Sequence, residues 1–135
     1  MSPAVVYLDS SALLKLVFEE HESEALAAFL DKWPARVCSM LARVELLRIV
    51  ARVEDPLPLR DAQRVLRNMN LARIDDAVIM SAAMLEPRGL RSLDAIHLAT
   101  ARGLGHHLAG MVTYDHRLAD AARHHDITVW SPAPT

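Results

Sequence analysis

Cysteine is nearly absent: Cys38 is the single one in 135 residues, so no internal disulfide can form and a cross-linked secreted scaffold is excluded. It lies in the apolar stretch Arg36-Val37-Cys38-Ser39 and reads as a buried strand residue in a reducing compartment. Glycine is scarce too, with four in the chain, and no Gly-x-Gly-x-x-Gly or other phosphate-cradling loop follows the first apolar run, so nucleotide-cofactor binding is not supported. Positive charge is not in excess: the formal net charge is −2, and no global basic field is available to hold nucleic acid. Lysine is reduced to Lys15 and Lys32, the other cations being arginine, a bias that GC-rich codon usage explains as readily as function. No segment approaches the roughly 18 uncharged apolar residues of a membrane span, and the N-terminus lacks a basic-then-apolar leader pattern. A soluble cytoplasmic protein without membrane attachment is expected.

What is present is a chain of 15.0 kDa with 52% hydrophobic residues, enough for one domain with a real core. The apolar run Ala4 to Leu8 reads as a buried strand, and Asp9-Ser10-Ser11 supplies helix-capping residues before the helical run Ala12 to Phe18. Helical spacing continues from Glu22 to Trp33 and is stopped by Pro34; Val37-Cys38 is a short strand; Ser39 caps a helix from Met40 to about Val53. Residues 54–58 read as a loop through Pro56 and Pro58, and Leu59 to Met69 as an amphipathic helix. Leu71 to Ile74 is a strand or connector, Asp75-Asp76 starts a helix over Ala77 to Glu86, and Ser92 caps one over Leu93 to Arg102. Met111 to Tyr114, Arg117 to His124 and Ile127 to Trp130 read as strand, helix and strand. Alternating strands and helices argue for an α/β fold with a central parallel sheet flanked by helices on both faces, one domain over residues 1–131 with a tail at 132–135.

Four acids stand where these segments end or turn. Asp9 follows the first strand, Asp115 follows Met111 to Tyr114, Asp94 opens an apolar helix, and Glu45 lies inside another. Ligands of open α/β sheets bind at the carboxyl ends of the strands, so Asp9 and Asp115 point into that crevice. The helix carrying Asp94 is apolar nearly all round and should be buried, which turns its acid toward the interior. Each acid has an ordinary explanation: Asp9 as a helix cap, Asp94 as a partner of the helix dipole, Glu45 as half of a surface pair with Arg48, Asp115 as a turn residue. Taken together they describe a site, because ionised carboxylates crowded in one crevice need cations to compensate them. Mg²⁺ or Mn²⁺ is the expected cofactor.

Other chemistries fare worse. The pairs His106-His107 and His124-His125 have no zinc-ligand spacing, and His97 reads as a hydrogen-bonded interior histidine. Ser10 and Ser11 lack the flanking glycines of a hydrolase nucleophile elbow. A receiver domain needs a lysine after a late strand, and none follows Lys32; a dehalogenase-type phosphatase needs an acid where Ser11 stands.

The motifs Tyr7-Leu8-Asp9-Ser10-Ser11-Ala12-Leu13-Leu14-Lys15-Leu16, Ser92-Leu93-Asp94-Ala95-Ile96-His97-Leu98-Ala99-Thr100-Ala101 and Val112-Thr113-Tyr114-Asp115-His116-Arg117-Leu118, with Glu45 between them, resemble the PIN-domain ribonucleases, and more narrowly the VapC-type toxins of type II toxin-antitoxin pairs. The resemblance spans essentially the whole chain. It implies catalytic and metal-holding roles for Asp9, Glu45, Asp94 and Asp115, with Thr113 and Ser10 in support. His116 and Arg117 stand where the family often has one basic residue after the last acid. It further implies cleavage of RNA by metal-activated water, a cognate VapB-like antitoxin, and a homodimer. A catalytically silent PIN-fold interaction module and a stand-alone RNA-processing nuclease are the alternatives. The helices over Glu22 to Trp33 and Leu59 to Met69 carry Phe29, Trp33, Leu66 and Met69, which either pack on the sheet or line an exposed groove for the partner.

Overall fold

Along the first strand Val6 and Leu8 face one core and Tyr7 the other, and all three are fully buried. A strand buried on both faces belongs in the middle of a parallel sheet, and that is its place. The computed structural model describes residues 4–135; the first three residues of the expected domain lie outside them. Five strands, β1 (Val5–Leu8), β2 (Arg36–Ser39), β3 (Asn70–Ala72), β4 (Leu108–Val112) and β5 (Val129–Trp130), form one sheet in the order β3-β2-β1-β4-β5. Every pairing is parallel.

Seven α-helices cover the sheet among the described residues: α1 (Ser10–Val17), α2 (Ser23–Leu30), α3 (Met40–Val50), α4 (Pro56–Arg67), α5 (Asp76–Ala83), α6 (Ser92–Arg102) and α7 (His116–His124). Helices α1 to α4 bury Leu13, Leu26, Leu46 and Leu66 with Val6, Leu8, Cys38 and Val112 on one face. On the other, α6 and α7 bury Leu98 and Leu118 with Tyr7, Val37 and Met111. The expected α/β fold with helices on both faces is therefore what forms. From β1 the chain winds outward through β2 to β3, then crosses to β4 on the other side of β1. The carboxyl ends of β1 and β4 consequently flank the point where the winding reverses, the usual ligand crevice of such sheets.

Local details depart from the sequence reading. Residues 54–58 are not all loop: Asp55 accepts from the Leu57 N–H and Pro56 opens α4, since a missing N–H costs nothing in the first turn. The N-cap of α6 is Arg91, without a side-chain cap bond, rather than Ser92. The fourth strand begins at Leu108 and ends at Val112, so Thr113 and Tyr114 have left it. Phe29 and Trp33 stack on Trp130 with ring centroids 5.2 and 5.4 Å apart, while Leu66 and Met69 are buried. All four pack against the core on that face, Phe29 and Trp33 only partly buried, and Leu66 also lines a surface cavity with Arg43, Leu47 and Leu71. The exposed large apolar residues among the described ones include instead Val44, Leu57 and Leu59 and, on α5, α6 and the turn between them, Ile79, Met80, Met84 and Leu93. The C-terminal segment is tied down where the Tyr114 hydroxyl donates to the Pro132 carbonyl at 2.7 Å. Among the described residues no helix is long and apolar enough to cross a membrane.

Candidate active site

Asp9 leaves β1 almost wholly buried: it is 3% exposed. Because the strand ends there and α1 begins at Ser10, its carboxylate also caps that helix, accepting from the Ala12 N–H at 3.1 Å. Ser11 Oγ donates to Oδ1 and Thr113 Oγ1 donates to Oδ2, each at 2.7 Å. Thr113 is itself buried and accepts from the Asp115 N–H at 3.0 Å; Ser11 accepts from the Tyr114 N–H at 2.9 Å. Two hydroxyls thus bolt the end of β1 to the segment leaving β4. Asp115 caps α7 through the Arg117 and Leu118 N–H groups, and Asp94 lies in the first turn of α6. Three helix N-termini therefore aim their positive ends at three carboxylates.

Glu45 comes from α3, on the opposite layer from α6. Its Oε1 is bonded to His97 Nε2 at 2.8 Å and not to Arg48 along its own helix. His97 is 3% exposed, and its other nitrogen, Nδ1, lies 2.7 Å from the Tyr7 hydroxyl. All four acids line one cavity of about 320 Å³, together with Ser10, Ser11, His97, Arg91 and Arg117. A second cavity of about 490 Å³ adjoins it, sharing Arg91, Asp94 and Arg117.

The charge balance of this crevice is unfavourable for anions as it stands. Burial pushes the Asp9 carboxyl above the usual range, and the bonds from Thr113, Ser11 and Ala12 offset this only in part. Asp94 is raised as well, first by desolvation and next by the charge of Asp115, with His97 and then Arg91 opposing. Such a set of carboxylates favours a cation over an anion. Among the described residues no three His, Cys, Asp or Glu side chains are gathered tightly enough to enclose a metal ion. Mg²⁺ does not require that: it keeps several waters and takes one or two carboxylates. Hard carboxylate oxygens, two with raised proton affinity, fit such an ion.

Each acid singled out in the sequence reaches this cavity, and so does Ser10, but it is Ser11 that bonds to Asp9. The sequence pointed to Ser10 in support, and the bond comes from Ser11 instead, because the choice depends on the phase of the first helical turn. The link from His97 to Glu45 joins residues 52 apart in sequence, and no local pattern announces it.

A parallel sheet whose reversal point is lined by carboxylates from the residue after β1, from α3 and α6 and from the N-cap of α7 defines a class of acid-lined α/β domains, and a family model described as "PIN domain" matches residues 6–124. The chain belongs to the PIN-domain family. Within it, its sequence relatives are VapC proteins. It is 44% identical over 131 residues to Ribonuclease VapC46 of Mycobacterium tuberculosis, covering 96% of this chain and 99% of that one. It is 38% identical over 132 residues to Ribonuclease VapC47 of the same species, covering 95% and 97%. Among solved structures, VapBC2 of Rickettsia felis bound to a DNA fragment from its promoter superposes with a TM-score of 0.72 at 13% identity, covering 93% of this chain and 97% of that one. VapC20 of M. tuberculosis, described as a toxin that cleaves the sarcin-ricin loop, gives 0.68 at 15% identity over 86% and 94%. These two likenesses concern the fold.

Proposed function

We propose that this chain is a Mg²⁺- or Mn²⁺-dependent endoribonuclease acting in the cytoplasm as the toxin of a toxin-antitoxin pair, with a VapB-like antitoxin as its partner. The observation that carries the reading is the convergence of Asp9, Glu45, Asp94 and Asp115 on one cavity at the reversal point of the sheet. The ribonuclease names of the sequence relatives and the toxin-antitoxin complexes among the structural neighbours support it.

The phosphodiester is an anion, and four carboxylates repel it unless a cation intervenes. A bound divalent ion supplies Lewis acidity toward the phosphate and activates the attacking water. Asp9 and Asp94 are the residues to hold it, with Asp115 completing the set and Glu45 approaching from α3. Thr113 and Ser11 fix both oxygens of Asp9, so its orientation is settled before any ligand arrives. Arg91 and Arg117 border both cavities; their guanidiniums suit the non-bridging oxygens of the substrate and the phosphate beside it. The adjoining cavity gives the polynucleotide room to continue past the acids. Burial of Asp9 excludes water from its flank and strengthens each of these charge interactions.

Growth reports on the whole proposal. Expression of the chain alone should arrest growth, whereas expression of Asp94→Asn should not. Co-expression with the small reading frame beside its gene should restore growth and yield a complex that co-purifies. Harmless expression of an active enzyme, or no complex with the neighbour, would favour a stand-alone nuclease.

A further inference from the structure

Of the four acids, Glu45 has the longest side chain to order, and no backbone N–H group of the described residues holds it. Backbone N–H groups hold Asp9 and Asp115. Among the described residues the Glu45 carboxylate has one hydrogen-bond partner, His97. His97 stands one turn beyond Asp94 on α6, so the two share a helical face. It is buried between β1 and α3, reached by Tyr7 on one nitrogen and Glu45 on the other. The direction of the Glu45 bond follows from donor chemistry. A carboxylate only accepts, so His97 donates from Nε2 to Glu45, while its Nδ1 is hydrogen-bonded to the Tyr7 hydroxyl. Tyr7 is fully buried and lies two residues before Asp9 on the central strand, which makes it a rigid anchor. The bridge therefore refers the position of Glu45 to the strand that carries Asp9, across the two layers of the fold.

We propose that His97, anchored by Tyr7, is a positioning residue that locks the Glu45 carboxylate against the crevice and so sets the affinity of the acid site for a divalent cation. This rests on the reading of the site as a metal-dependent nuclease, and it adds that the metal affinity depends on a buried histidine that does not itself touch the ion. Supporting partners of this kind typically contribute about 10- to 100-fold in metal affinity or activity.

The test uses the full chain and Mn²⁺ as the probe, with binding measured by titration calorimetry and by the electron paramagnetic resonance of free Mn²⁺. His97→Phe keeps the ring volume and removes both bonds; Mn²⁺ affinity should fall by about tenfold or more. His97→Gln offers a donor at the Nε2 position and should recover most of that loss. In a Glu45→Gln background, His97→Phe should add little, because two residues acting as one unit are non-additive. Circular dichroism and melting establish that each variant is folded. If His97→Phe proves unfolded, Tyr7→Phe, which leaves the Glu45 bond in place, takes its position in the cycle and should lower Mn²⁺ affinity to a smaller extent. Unchanged affinity in a folded His97→Phe protein, or an equal loss with and without Glu45, would overturn the proposal. Nitrogen-15 spectra of the metal-free protein should find a proton on His97 Nε2. Such a proton in a wild-type protein that neither binds Mn²⁺ nor cleaves RNA would place the failure in the nuclease reading, whereas an unprotonated Nε2 would place it in the bridge itself.

Discussion

Asp9 is a carboxylate in a place that suits its charge poorly, and the three bonds it accepts leave its proton affinity raised. Linkage gives the sign of the consequence: a group whose folded pKa exceeds its unfolded one stabilises the fold below the unfolded value and loses that contribution as pH rises through the folded value. The window opens at the ordinary value of 3.8 and extends upward, for Asp9 and Asp94 alike. Chelator-treated protein should therefore melt at a higher temperature as the pH is lowered from neutrality toward the carboxylate range, and Asp9→Asn should flatten that dependence. A melting temperature independent of pH across that window would contradict the burial argument. Cys38 tests the same physics with a different atom. It is fully buried, and burial pushes its thiol up to about 11, so iodoacetamide at mildly alkaline pH should label it only after unfolding. The acids were legible in the sequence because each sits at or near the end of an apolar segment, where a capping role and a site role coincide. Asp9 and Asp115 each cap a helix and line the cavity, so capping and a place in the crevice are not alternatives. The Tyr7 to His97 to Glu45 bridge was not legible, because it depends on three elements meeting.

Among the elements, β4 was the one most poorly bounded in the sequence, and Gly110 is the reason. Glycine is a weak strand former, so Leu108 to Gly110 did not read as strand, yet only glycine fits there. A Cβ at Gly110 would meet the Thr128 carbonyl oxygen at 2.7 Å and the Trp130 ring at 2.5 Å. That ring cannot withdraw easily, being packed against Phe29 and Trp33. Gly110→Ala should thus destabilise by about 1–3 kcal/mol, the usual range for overpacking. Gly89→Ala, where nothing lies within 4 Å, should stay within about 0.5 kcal/mol of wild type. Denaturant midpoints of the two variants provide the comparison, and equal midpoints would refute the close approach. The helices were read more accurately because their periodicity is longer and their caps are local: Asp9, Ser39 and Asp75 each accept the expected bond. Pro56 misled because proline reads as a helix breaker in a loop but as a helix starter directly after Asp55.

For the whole molecule, topology does what no single motif does. The order β3-β2-β1-β4-β5 brings the ends of β1 and β4 together, and the helices that follow them, with α6 beside them, present their N-termini to the same crevice. A sequence pattern gives the strands but not their order, so the class of fold was legible and the meeting of Asp9 with Thr113, 104 residues apart, rested on family resemblance. If the acids form a metal site, a divalent cation binds the folded chain and not the unfolded one, and stability rises by mass action. Increasing Mn²⁺ should raise the melting temperature of the wild-type protein and leave that of an Asp9→Asn, Asp94→Asn double variant unmoved; an identical shift would place the cation elsewhere. The central claim, that this crevice cleaves RNA through a divalent cation, is tested most directly by incubating purified protein with RNA in Mg²⁺ or Mn²⁺, in chelator, and with Asp94→Asn. The account predicts cleavage by the wild type that stops in chelator, returns on adding the metal, and falls by orders of magnitude in the folded variant; cleavage that persists in chelator, or equal activity in Asp94→Asn, would contradict it.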